Sequence, residues 1–295
     1  MFLRSPTTNF VFDEQEALLA NPFVQGGVPW SEVLRVDFWG RGPTTTIGSY
    51  RPLPNLFWRG LAFTLAAHTP FYLHLLNVIL HAVAATLLAR VVLSATRDER
   101  AAFVAGLAFA SLAVATEVVA GVVGLADILA VIAACTTLLL VRARTRFEPL
   151  VVVTVFLGFL SKETMVAFLP LGALFAWFFP RSKERSRWLA TLLVVLSEAL
   201  GTLGYVLLRR TSFFVETPLP PSNSANWPLV GSRLASLRAW FRQPDFPIDP
   251  LNNPLVDVGV VERLPTVFAV TLRSLRQVVL PFGLSGDYSF AEEVK

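Results

Sequence analysis

"FYLHLLNVILHAVAATLLARVVLSA", residues 71–95, decides the fold. Its one formally charged residue is Arg90, close to its end. A helix needs about 20 apolar residues to cross a bilayer core, so this stretch reads as a membrane span. The cluster "RDER" at 97–100 marks where the chain leaves the hydrocarbon. Outward from it, further apolar runs lie at 101–119, 122–141, 149–160, 164–180 and 188–208. The runs at 149–160 and 164–180 are short for a crossing and need tilt, thinning or protein-lined ends. A last run, 263–284, carries Arg273 and Arg276 and suits either a final crossing or an interfacial segment. The expected fold is an all-α polytopic membrane bundle of about six or seven helices.

Composition agrees with that reading. The 295 residues are 54% hydrophobic and 16% charged, with mean hydropathy +0.58, whereas a soluble domain is about 25% charged. Lys162, Lys183 and Lys295 are the only lysines, an arginine bias that suits a GC-rich, bacterial genome. The net charge of +4 is dispersed as short basic clusters between apolar runs, so it points to membrane topology and not to nucleic acid. Cys135, the single cysteine, sits inside an apolar run and leaves no internal disulfide. "MFLRSP" at the start lacks the apolar core of a signal peptide.

Charge placement orients the spans. "RDER" (97–100), "RARTR" (142–146) and "RSKERSR" (181–187) belong on the cytoplasmic side by the positive-inside rule. Residues between the second and third clusters then form a hairpin whose tip is "SKE" (161–163), on the outer side. The same counting puts Glu117, the "GVVG" turn (121–124) and Asp127 outside. It divides the chain into an extracytoplasmic loop (1–70) with an amphipathic interfacial helix over 54–67, a transmembrane core (71–208), a second outer loop (209–262), and an interfacial or final membrane segment (263–295). Ionisable groups at membrane depth cost about 2.5–3.5 kcal/mol unless paired or wet. Glu117, Asp127, Lys162 and Glu163 therefore either mark helix ends or line a water-filled outer cavity, and their falling on one side favours the cavity. His74 and His81 in "HLLNVILHA" share one helix face and are expected to hydrogen-bond neighbouring helices, while Asn77, one turn from each, suits a polar stripe facing the cavity. The histidines lack the companions a metal site needs, so no metal is expected.

The ordered motifs "FDEQEALLANPFV", "DFWG", "SYRPL", "HLLNVILHA", "TEVVAGVVGLADILA", "FLSKE", "NNPLV" and "LPFGLSGDYSF" resemble the transmembrane-and-tetratricopeptide-repeat O-mannosyltransferases and their bacterial relatives, within the GT-C superfamily of membrane glycosyltransferases. The resemblance implies a GT-C-like bundle that transfers a sugar, mannose, with inversion. The donor would be a polyprenyl- or dolichyl-phosphate sugar and the acceptor a hydroxyl, typically protein Ser or Thr. No other cofactor is implied. The reaction would face the periplasm of a bacterial inner membrane, or the lumen of the endoplasmic reticulum in a eukaryote. Partners would be membrane lipid, the lipid-linked donor and the acceptor protein.

Through that resemblance "FDE" supplies the acidic pair of the first outer loop. Asp13 is expected as the base that accepts the acceptor's proton, strengthened by partial burial beside Phe10 and Phe12, with Glu14 binding acceptor or supporting the base. The competing reading is an ordinary acidic helix start with Asp13 near its N-cap and Glu16 solvated. Phosphate departure calls for preorganised cations, and Arg51, Lys162, Arg273 and Arg276 are the candidates. Arg51 could instead anchor the interface. If 263–284 lies at the interface or re-enters, Asp287 and Tyr288 of "GDYSF" return to the outer side; a plain final crossing would put them inside. Trp39, Trp58 and Trp227 are expected as interface anchors, with sugar stacking the other possibility.

The sequence also departs from the family pattern. Where relatives read His-Pro-x-His-Thr-Glu, "LAVATE" (112–117) keeps only Thr116 and Glu117, and Gly-Arg-Ala-Asp becomes "GLAD" (124–127). Asn252 stands for an aspartate in "NNPLV". The helix before the acidic loop, the helices after "DYSF" and the repeats with their ~34-residue period are not found. Three alternatives follow: a minimal divergent enzyme, a truncated or divergent gene product serving as a non-catalytic scaffold, or a piece completed by a partner chain. A transporter is a weaker one, because no internally repeated halves appear.

Overall fold

The structure, a computed structural model, describes residues 13–43, 45–46, 48–65, 70–143, 149–179, 186–213 and 260–280. All regular structure among them is helical. A short π-helical turn (Gln15–Leu19) and a 3-10 turn (Trp30–Leu34) precede α1 (Pro52–Leu65), which lies where the interfacial helix is predicted. The opening apolar run is α2 (Pro70–Thr96). Asp98 then caps α3 (Glu99–Ser111), its carboxylate accepting from the backbone N–H groups of Arg100 and Ala101 at 2.8 and 3.2 Å.

The run at 101–119 is not the single straight span its composition suggests. Leu112 leaves the helical region (φ −57°, ψ 121°), and the chain resumes through a 3-10 turn into α4 (Thr116–Ala120), bent by 48°. The "GVVG" stretch forms another 3-10 turn that leads directly into α5 (Leu125–Ala143). Next come α6 (Pro149–Ser161), α7 (Leu169–Phe178) and α8 (Arg187–Ser212). Between α6 and α7, Lys162 is extended and Glu163–Phe168 is 3-10, so the expected span at 164–180 is α-helical only in its second half. Pro70–Thr96, Val122–Ala143 and Arg187–Ser212 are each long and apolar enough to cross a membrane, and the bent pair provides a fourth candidate. At 13 residues, α6 is only ~20 Å long, short of the ~30 Å hydrocarbon core.

Contacts at the two ends of each helix fix the directions. Near the start of α2, Asn77 donates to the carbonyl of Gly121 at 2.7 Å; near its end, Ser94 accepts from Arg142 at 3.1 Å, so α2 and α5 run parallel. α3 returns against α2, where a Cβ on Gly106 would lie 2.9 Å from that of Ala89. α6 is antiparallel to α5, joined by the Thr137 and Thr154 hydroxyls at 2.8 Å. α8 follows α6 in parallel, with Gly201 against Val152 and Val155 and Tyr205 stacked on Phe159. α7 packs antiparallel to α8, with Gly172 against Glu198 and Trp177 against Trp188. Small residues let these backbones approach, the packing expected where lipid removes any hydrophobic drive between helices.

The segment 13–65 caps one end of this bundle. Ala17, Leu18, Val24, Phe38 and Trp58 form a single core with Leu73 of α2 and Leu125, Ala126 and Leu129 of α5. The last helix, α9 (Val260–Val279), touches the 3-10 turn at Ala113–Ala115. Val261, Leu264, Phe268, Leu272 and Leu275 line one face, opposite Glu262, Arg273 and Gln277. That is the pattern of a helix lying in an interface, and α9 is not among the helices apolar enough to cross.

Candidate active site at one end of the helix bundle

Two adjacent carboxylates leave the first turn in different directions, because successive helical residues project about 100° apart. Asp13 is exposed, so the partial burial expected of it is absent. Glu14 is 1% exposed, and its Oε1 accepts from the backbone N–H of Val122. That N–H lies at the start of the helical stretch leading into α5, where a carboxylate meets orphan donors and the positive end of the helix dipole. Glu14 therefore ties the first loop to α5. Glu16 is exposed and reaches Arg41 at 3.2 Å.

About one and a half turns further along α5, Asp127 accepts from Lys162 Nζ at 2.6 Å. The next residue, Glu163, accepts from Arg51 Nε at 3.0 Å. Both ion pairs are half-buried. The hairpin tip thus brings Arg51, Glu163, Lys162 and Asp127 into one group, at the end of α5 that also holds Glu14. Among the described residues the terminal nitrogens of Arg51 make no hydrogen bond, and its guanidinium lies 5.1 Å from the Phe38 ring centroid. Arg273 and Arg276 lie on α9, where Arg276 is exposed. Glu117 is exposed too.

His74, Asn77 and His81 are buried between helices. Asn77 binds the 118–122 backbone, while His81 faces the Ala110 carbonyl at 3.4 Å and stacks on Phe109. Their stripe is an interhelical seam. Among the described residues no group of three His, Cys, Asp or Glu side chains could hold a metal. Asp287, Tyr288, Trp227 and Asn252 lie outside the described residues, as do Phe10 and Phe12.

Several residues that position the site carry no signal in the hydropathy pattern. Asp37 of "DFWG" is fully buried; its carboxylate accepts from the backbone of Trp39 and Arg41 and from the Thr46 hydroxyl at 2.7–2.9 Å. Asn55 on α1 donates to the Asp37 carbonyl at 2.8 Å, and Asn21 of "NPFV" donates to the Phe38 carbonyl at 3.2 Å. Gly40 has φ +74°, and a Cβ there would fall 2.1 Å from Asn21 Oδ1. Asn21, Asp37, Gly40 and Asn55 thus lock "FDEQEALLANPFV", "DFWG" and the first turn of α1 together. Tyr50, stacked on Phe213, donates to the Leu34 carbonyl at 3.1 Å, and Arg209 at the end of α8 donates to the Gly48 carbonyl at 2.9 Å. Burial, with Tyr205 alongside, holds the Tyr50 hydroxyl above the usual tyrosine range, which keeps it a donor. Trp58 is 1% exposed, which removes it from the interface-anchor role.

Comparison with known proteins adds an independent line. Protein O-mannosyl-transferase Tmtc2 of Drosophila melanogaster is 35% identical over 192 residues, 59% of this chain and 20% of that protein. Tmtc1 of the same organism is 34% identical over 197 residues, 63% of this chain and 22% of its own length. TMTC1 of Mus musculus is 43% identical over 137 residues, 43% of this chain and 14% of that protein. Over these stretches the chain is similar to TMTC protein O-mannosyl-transferases. It spans about a fifth of the length of the Drosophila TMTC proteins it matches. No protein-family model and no solved structure matches it.

Proposed function

We propose that this chain forms the catalytic end of a membrane glycosyltransferase, moving a sugar, mannose, from a polyprenyl-phosphate donor to a hydroxyl, typically of protein Ser or Thr, at the extracytoplasmic face. The observation that carries this reading is the meeting, at one end of α5, of the acidic turn with two cations borne by distant segments. The relatives' names supply the sugar and the protein acceptor.

In this reading the acceptor oxygen attacks the anomeric carbon, opposite the phosphate, and the bond from that carbon to the phosphate oxygen breaks. Asp13, exposed and next to the anchored Glu14, takes the hydroxyl proton. The polyprenyl phosphate leaves with one more negative charge. The unbonded ends of Arg51 suit a phosphate gripped through parallel N–H bonds, and Lys162 adds a second positive charge. Glu163 and Asp127 hold both cations in place before the donor arrives, so phosphate binding competes with two preformed ion pairs. The basic clusters at the opposite end support placing this end outside the cytoplasm. Arg273 and Arg276 on α9 remain candidates for the donor's lipid-phosphate approach, and the helices or repeats of the relatives would come from a partner chain or further sequence.

Two observations favour a second reading. Each site cation already has a carboxylate partner, as a purely structural network would, and the His-Pro-x-His of the family pattern is absent. A non-catalytic scaffold fits that arrangement. Transfer from mannosyl phosphopolyprenol to a Ser/Thr peptide in membranes separates the two. Catalysis requires product from wild type and a loss of about 10²–10⁴-fold in Asp13→Asn. Equal product from both would remove Asp13 as base, and none from either would establish the scaffold.

A further inference from the structure

Buried polar atoms around "DFWG" divide into those with hydrogen-bond partners and a few without, among them Arg59 Nη1 over the Phe23 and Trp30 rings. Asp37, Asn21 and Asn55 all have partners, whereas the indole N–H groups of Trp39 and Trp58 are both buried and have none among the described residues. Buried donors in native folds are paired in the great majority of cases. Both rings pack against Phe38, each with its centroid 5.1 Å from that ring. Phe38 also carries the Arg51 guanidinium, again at 5.1 Å. Two donors without acceptors and one phosphate-directed cation therefore surround a single side chain.

We propose that Trp39 and Trp58 form the sugar subsite, donating their indole N–H groups to hydroxyl oxygens of the lipid-linked sugar whose phosphate Arg51 holds. The proposal rests on the reading of Arg51 as the phosphate cation. An indole N–H only donates, so it pairs with an oxygen acceptor such as a sugar hydroxyl and not with an ammonium or a second donor. In a glycosyl phosphate the sugar is bonded directly to the phosphate, which places its hydroxyls one ring away from the Arg51 contact. A phenylalanine at either position would pack on Phe38 without leaving an orphan donor, so the packing itself does not call for tryptophan. Trp39 is half-buried and Trp58 enclosed.

The full chain in nanodiscs, with 15N-labelled tryptophan, is titrated with mannosyl phosphopolyprenol and separately with sugar-free polyprenyl phosphate. Trp39→Phe and Trp58→Phe assign the two indole resonances. The subsite requires both resonances to shift with the mannosyl lipid and not with the sugar-free one. It also requires each variant to lose roughly tenfold of the preference for the mannosyl lipid, about one hydrogen bond, while affinity for the sugar-free lipid is kept. Arg51→Gln should weaken both ligands alike. Equal shifts with the two lipids, or an unchanged preference in the variants, overturn the subsite and leave the phosphate reading standing. Failure of wild type to bind either lipid overturns both. If Trp58→Phe does not fold, the wild-type titration with Trp39→Phe for assignment decides the matter.

Discussion

Burying a carboxylate near a membrane is costly, yet Glu14 is enclosed because it meets the unpaired backbone N–H of Val122 at a helix start. Replacing it with alanine leaves that N–H without its partner, a loss of about 1–3 kcal/mol. Glutamine keeps a carbonyl in reach and should cost less than half of that. Thermal unfolding in detergent should therefore order the proteins wild type, Glu14→Gln, Glu14→Ala, from most to least stable. Equal midpoints for the two variants would deny Glu14 its anchoring role. At this scale the sequence is only partly readable. The pair Asp13-Glu14 is conspicuous in a chain this apolar, but which member faces inward depends on the rotation of a single helical turn. Asp37 and Asn21 are harder still, since both are satisfied by backbone from their own loops and neighbours, a bonding that leaves no periodic trace.

Helix positions were legible from hydropathy, because apolar runs must match the bilayer thickness. Their breaks were not. Leu112 and Lys162 leave the helical region without proline or glycine at either position, and composition counts apolar residues without recording direction. Glu198 shows the same limit: it is buried mid-span on α8 and lies against Gly172 of α7, a tertiary fit invisible in one helix alone. The packing of α6 on α8 depends on a similar fit at Gly201, where an added Cβ would lie 2.7 Å from the Val152 carbonyl oxygen. Gly201→Leu should destabilise the bundle by about 1–3 kcal/mol, the usual cost of overpacking. Gly60→Ala, with nothing within 4 Å of its Cβ, should be nearly neutral. The difference in detergent unfolding midpoints checks this, and a Gly201→Leu protein as stable as Gly60→Ala would mean that α6 and α8 are not in close contact.

For the molecule as a whole, the paired helix directions sort charge by end. One end gathers Glu14, Arg51, Asp127, Lys162 and Arg209 with the whole 13–65 segment; the other carries Arg97, Arg100, Arg142 and Arg187. The sequence anticipated this division because short basic clusters recur at every second apolar run, which is how topology is encoded. It could not show that the first loop folds onto α5 so as to touch it, since that contact joins residues more than a hundred positions apart. The division makes a strict demand on accessibility. In a Cys135→Ser background, Gln15→Cys and Thr164→Cys, both exposed positions at the site end, should react with a membrane-impermeant maleimide in intact cells. Asp98→Cys, exposed at the basic end, should react only after permeabilisation. Labelling of Gln15→Cys and Thr164→Cys from opposite sides would part the acidic turn from the lysine hairpin, and no glycosyl transfer could then be built from the two.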